Sequence, residues 1–85
     1  MSRAWKVVFN DEAVEFLLSC RAPARRTLLG FLDKLRNNPH LAGDFAETDD
    51  TGRRLQVKLH RQFLITFWSD HAVKEVRIVE IEPAD

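Results

Sequence analysis

The sequence predicts an α+β fold, with a helical hairpin packed on one face of a largely antiparallel sheet of about four strands. Three observations lead there. Apolar residues recur at helical spacing only between Asn10 and Pro39. Beyond Gly52 the period becomes two, in segments divided by short turns. A short β-branched and aromatic stretch, "AWKVVF", comes before the helices. Helices grouped in sequence, rather than alternating with strands, belong together on one side of the sheet.

"AWKVVF" (Ala4 to Phe9) stops at Asn10-Asp11, which marks the end of a first strand. The Asn10 side-chain oxygen is suited to accept a free N–H in the first turn of a helix. Asp11 and Glu12 put negative charge where the helix dipole favours it. Ala13, Phe16, Leu17 and Cys20 then fall on one stripe, so Cys20 is expected in the core. Arg21-Ala22-Pro23 breaks this helix, and Pro23 fits the first turn of the next. Leu28, Leu29, Phe31, Leu32 and Leu35 form a broad apolar face, with Arg25, Arg26, Lys34 and Arg36 largely outside it. Asn37-Asn38-Pro39 ends the second helix, since proline disfavours helical geometry in the residue before it.

"GDFAETD" is a candidate short, exposed strand, followed by a turn around Thr51-Gly52. Next, Leu55, Val57 and Leu59 alternate with Arg54, Gln56, Lys58 and His60, the mark of a strand buried on one face. Arg61-Gln62 turns the chain into "FLITFWS", which is bulky on both faces and belongs in the middle of the sheet. Ser69 to Ala72 form another turn before the last strand, "VKEVRIVEIE". The order is strand, helix, helix, then three strands, with the short one in addition. If the helices cover the apolar side, Arg54, Lys58 and His60 line the open side.

Eighty-five residues make one domain, spanning residues 1–85. Thirteen Lys and Arg balance thirteen Asp and Glu, so overall charge names no polyanionic partner. A local basic patch is still able to bind one. The single cysteine excludes an internal disulfide and a Cys-based zinc site. Histidines at 40, 60 and 71 lack the short spacing of a metal motif. No metal and no other cofactor is expected. Neither a signal-like segment nor an apolar run of membrane-spanning length is present, so a reducing, cytoplasmic setting is expected, with no membrane partner.

"WKVVFNDEAVEFL", "LDKLRNNP", "RRLQVKLHRQFLITFW" and "VKEVRIVEIE", in that order and spacing, resemble the RelE/ParE superfamily of small bacterial toxins from type II toxin–antitoxin pairs. The resemblance implies an antiparallel sheet with a helical hairpin on one face. It also implies a toxin silenced by a cognate antitoxin wrapped over its surface, and a role in plasmid stabilisation. Members of the RelE branch cleave messenger RNA in the ribosomal A site without a metal; the ParE branch poisons DNA gyrase. The expected function is therefore a metal-free messenger RNA endoribonuclease acting at the ribosome. The alternative is a non-catalytic protein-binding module on the same fold, either a gyrase-directed toxin or an inactive orphan.

By the same resemblance, basic residues on the strand from Arg53 to His60 line the RNA groove. Lys58 is the clearest match, with Arg54 beside it. Where relatives often carry a functional arginine at the start of the next strand, this chain has Leu64, and its C-terminus reads "IEPAD" with no tyrosine.

Metal-free RNA cleavage requires a base, an acid and cations at the phosphate. The expected catalytic residues are Lys58, His60 and Arg54, with His60 as the proton carrier. At about 3.3 Å per residue, only Lys58 and His60, roughly 7 Å apart, reach one phosphate together. Arg53, Arg61 and Trp68 are the expected RNA-binding residues, Trp68 by stacking on a base. The competing readings are a solvated hairpin face that discourages edge pairing, and Trp68 as a packing or antitoxin-covered residue. Trp5 is expected to pack. Glu80 and Glu82 are placed to form ion pairs with the basic strand, which would neutralise part of it.

Overall fold

Residues 4–84 are described by the computed structural model. They form β1 (Lys6–Phe9), α1 (Asp11–Ser19), α2 (Ala22–Asn37), β2 (Phe45–Thr48), β3 (Arg54–His60), β4 (Phe63–Asp70) and β5 (Glu75–Pro83). The sheet order is β1-β5-β4-β3-β2, which puts the doubly apolar β4 at the centre. Pairing is antiparallel from β2 to β5, but β1 lies parallel to β5. The sheet is thus five-stranded and mixed. "GDFAETD" supplies β2 as an exposed edge strand.

One side of the sheet carries the core. Ala13 of α1 and Leu28, Phe31, Leu32 and Leu35 of α2 pack on Phe63, Ile65, Phe67, Val76, Ile78 and Ile81. A bulge makes this possible. Thr66 opposes Glu80 while Phe67 opposes Ile78, leaving Val79 as an extra residue in β5. Without it, Ile78 and Ile81, three residues apart, would project to opposite sides.

Two local expectations are corrected. The Asn10 side chain makes no capping hydrogen bond; its backbone carbonyl accepts the Val14 N–H instead. Leu29 is 46% exposed, so the apolar face of α2 is narrower than its leucines suggest. Arg25, outside the apolar face of α2, is nonetheless engaged with the protein rather than left to solvent. Its guanidinium donates to the carbonyls of Leu17, Leu18 and Cys20 at 3.3, 3.2 and 2.7 Å. These carbonyls lie at the C-terminal end of α1, where the dipole favours a cation; that of Leu17 also accepts the Cys20 N–H at 3.3 Å. Trp5 and Cys20 pack against the core as expected.

The connection from α2 to β2 lies close on β3. A Cβ at Gly43 would sit 2.6 Å from the Val57 carbonyl oxygen and 2.7 Å from its nitrogen. Backbone cannot yield as a flexible side chain can, so Gly43→Ala is expected to destabilise the protein by about 1–3 kcal/mol. Urea unfolding measures this. An unchanged midpoint would mean that the connection does not press on β3.

Candidate functional site on the open face of the sheet

Directly opposed residues of neighbouring strands project to the same side. Gln56, Lys58 and His60 oppose Phe67, Ile65 and Phe63 respectively, all three of them core residues beneath the helices. The polar stripe of β3, Arg54 included, therefore faces the helix side and not the open side. Its apolar partners Leu55, Val57 and Leu59 face the open side. This reverses the expectation for Arg54, Lys58 and His60.

The physical reason is that β3 lies beyond the helices, and polar loop contacts occupy its helix-side surface. The Gly43 N–H donates to Gln56 Oε1 at 2.9 Å. Lys58 Nζ donates to Asp44 Oδ1 at 3.1 Å, and the Leu59 N–H to Asp44 Oδ2 at 2.8 Å. The Leu59 N–H, followed by Lys58, holds the Asp44 carboxyl below the usual carboxylate range. His60 stacks on Phe31 of α2, with ring centroids 4.7 Å apart.

Partial burial against that ring is the largest cause that lowers the His60 pKa below its ordinary value; the positive charges of Arg61, Lys34 and Lys58 act in the same direction. The unfolded chain then binds the proton more tightly than the folded one. The stability from neutral His60 is present above the unfolded pKa near 6.5 and is lost as pH falls through the lower folded value. Between pH 7.5 and 5.5, the wild type should lose more stability than His60→Gln in paired thermal melts. Equal losses would refute the assignment.

On the open side, Val57 lies between Phe45 and Thr66, and Leu59 opposes Leu64. Leu55 and Val57 are only 6% and 3% exposed, although no helix covers them. At one end of this apolar floor, the Arg53 guanidinium lies 4.0 Å from the centre of the Trp68 ring, and Arg77 approaches the same ring at 5.9 Å. Both are within cation–π range. Arg77 also donates to Glu75 at 2.9 Å, and Arg53 lies 3.9 Å from Asp49.

Carboxylates mark the other end. Glu80 and Glu82 oppose Thr66 and Leu64 and so share the open side. Among the described residues neither forms the expected ion pair with the basic strand, which faces away from them; Lys58 pairs with Asp44 instead. Partial burial, then the charges of Glu82, Glu12 and Glu47, raise the Glu80 pKa.

No protein-family model and no curated protein matches the sequence. Solved structures do match. RelE in the archaeal RelE–RelB complex from Pyrococcus horikoshii superimposes with a TM-score of 0.76 at 16% identity, over 96% of this chain and 97% of that one. The isolated RelE toxin of E. coli gives 0.79 at 13% identity, over 96% and 86%. The chain has the RelE fold. The RelBE2 toxin–antitoxin complex from Mycobacterium tuberculosis agrees, with a TM-score of 0.72 at 12% identity over 95% and 99% of the chains.

Within this RelE fold, the residues singled out from sequence divide into groups. Arg53 and Trp68 come together on the open face. Lys58 and His60 lie on the helix side, each already engaged. Arg54, on that same side, lines a groove at the end of the sheet. Arg61 occupies the β3–β4 turn with φ 56°, at the opposite end of β3 from Arg53. Arg77 went unnoticed in the sequence, because nothing in "VKEVRIVEIE" says that its arginine opposes Trp68. Among the described residues, no group of three or more His, Cys, Asp or Glu is placed to hold a metal ion. Among the described residues, no helix is long and apolar enough to cross a membrane.

Proposed function

We propose that this chain is the toxin of a type II toxin–antitoxin pair, acting in the cytoplasm on messenger RNA at the ribosome as a metal-free endoribonuclease. The observation that carries the reading is the RelE fold over nearly the whole chain. The Arg53–Trp68–Arg77 cluster supports it, since an aromatic ring flanked by guanidinium groups fits a stacked base and its phosphate. The apolar floor around Phe45, Leu59 and Leu64 gives an antitoxin segment a surface on which to bury apolar side chains and mask the cluster.

Induced expression with mapping of transcript ends tests this. Growth arrest with messages cut inside codons, relieved by co-expression of an antitoxin encoded beside the gene, is the expected result. Arrest with intact transcripts and altered DNA supercoiling would replace the ribonuclease with a gyrase-directed protein. Harmless accumulation of folded protein would overturn the toxin reading.

A further inference from the structure

Histidines 40 and 71 are far apart in sequence, and the fold stacks them. Their ring centroids are 5.3 Å apart and their planes 17° from parallel. Trp5 meets both edge-on, at 6.2 Å from His40 and 5.2 Å from His71. The backbone on either side is fixed. Ser69 Oγ donates to the Pro39 carbonyl at 2.7 Å, anchoring the residue before His40. Asp70 Oδ1 accepts the Ala72 N–H at 3.2 Å, which shapes the turn that presents His71.

The pair borders a groove of about 320 Å³, lined also by Arg54, Gln56 and Trp68. No carboxylate lines this groove, whereas the one beside Asn10 is lined by Asp11, Glu12 and Glu80. Two imidazoles and a guanidinium without a counter-charge suit an anion. Trp68, whose ring lies on the open side in the Arg53–Trp68–Arg77 cluster, also borders this groove, which Arg54 and Gln56 line from the helix side, so the two meet only at the end of the sheet.

We propose that the groove holds an RNA phosphodiester, and that His40 and His71 are the proton acceptor and donor for its cleavage, with Arg54 neutralising the phosphate. This rests on the ribonuclease reading above and supplies its catalytic groups. One imidazole, neutral, takes the proton of the 2′-hydroxyl as the 2′-oxygen forms its bond to phosphorus. The bond from phosphorus to the 5′-oxygen breaks, and the other imidazole, protonated, gives that oxygen its proton. The products are a 2′,3′-cyclic phosphate and a 5′-hydroxyl, and no further reactant is needed. Two near-parallel imidazoles with centroids 5.3 Å apart are close enough to serve one phosphodiester between them. Imidazole is the side chain whose type serves both roles near neutrality.

The test compares purified wild type with His40→Gln and His71→Gln in chelator, on a short single-stranded RNA and on ribosome-bound message. Binding is measured separately on the same RNA with 2′-deoxy substitution throughout. Each histidine variant should cleave at least 100-fold more slowly, the scale of a lost general acid or base, while binding the deoxy strand within about 3-fold of wild type. Arg54→Ala should weaken that binding. Wild-type cleavage that leaves a 3′-phosphate without a cyclic intermediate would overturn the proposal. So would histidine variants that cleave at the wild-type rate, and that outcome leaves the ribonuclease reading standing. A wild type that cuts neither substrate removes both.

Discussion

Phe67→Ala is expected to remove about 3–5 kcal/mol of stability, the cost of emptying a large aromatic site in a packed core. Phe67 is 1% exposed on the central strand, opposed by Ile78 on β5 and Gln56 on β3. Helices on one side and paired strands on both flanks leave little freedom to collapse into the space. At roughly 0.05–0.15 kcal/mol per residue, a domain this small has only about 4–13 kcal/mol in total. Thermal unfolding should show the midpoint falling by more than about 10 °C. A shift of a degree or two would mean that the core is not centred on β4.

Trp68→Ala has the largest effect expected on binding. Trp68 is half-buried on the open face with Arg53 over its ring, and no helix packs on that side. Truncation removes a stacking surface worth about 1–3 kcal/mol per base, so single-stranded RNA should bind about 5- to 150-fold more weakly. Arg53→Ala should reproduce part of that loss and reduce the salt dependence of binding, because a phosphate contact is lost with the guanidinium. Fluorescence anisotropy on a short RNA measures both. A Trp68→Ala protein that binds as the wild type does, with an unchanged circular dichroism spectrum, would place the RNA elsewhere.

The element order, the central position of β4 and the grouping of the helices were legible because each rests on local periodicity. The parallel pairing of β1 with β5 was not, since pairing direction depends on where the helical hairpin returns the chain. The β5 bulge was hidden for a similar reason: Ile78 and Ile81 look like a lapse in alternation until Val79 is seen as the extra residue.

The largest reversal concerns β3. A period of two shows that Leu55 and Val57 share a side, but it does not say which side. Assigning the apolar side to the helices assumes that the sheet has a single apolar face. Here the sheet has two, because Phe45, Leu55, Val57, Leu59 and Leu64 form a second one where no helix lies. Asp44 and Gly43, from a loop with no regular pattern, answer the polar side chains of Lys58 and Gln56. The meeting of His40 with His71 is likewise a product of tertiary structure, as 30 residues of chain lie between them.

On the proposed toxin reading, RNA is received by the open face with Arg53 and Trp68, while Lys58 lies on the loop-covered side. Growth after induction tests it most directly, comparing wild type with an Arg53→Ala/Trp68→Ala double variant and with Lys58→Ala, all at matched levels of folded protein. Arrest by the wild type and by Lys58→Ala, with growth of the double variant, is the expected result. Relief of arrest by Lys58→Ala, with full toxicity of the double variant, would contradict it.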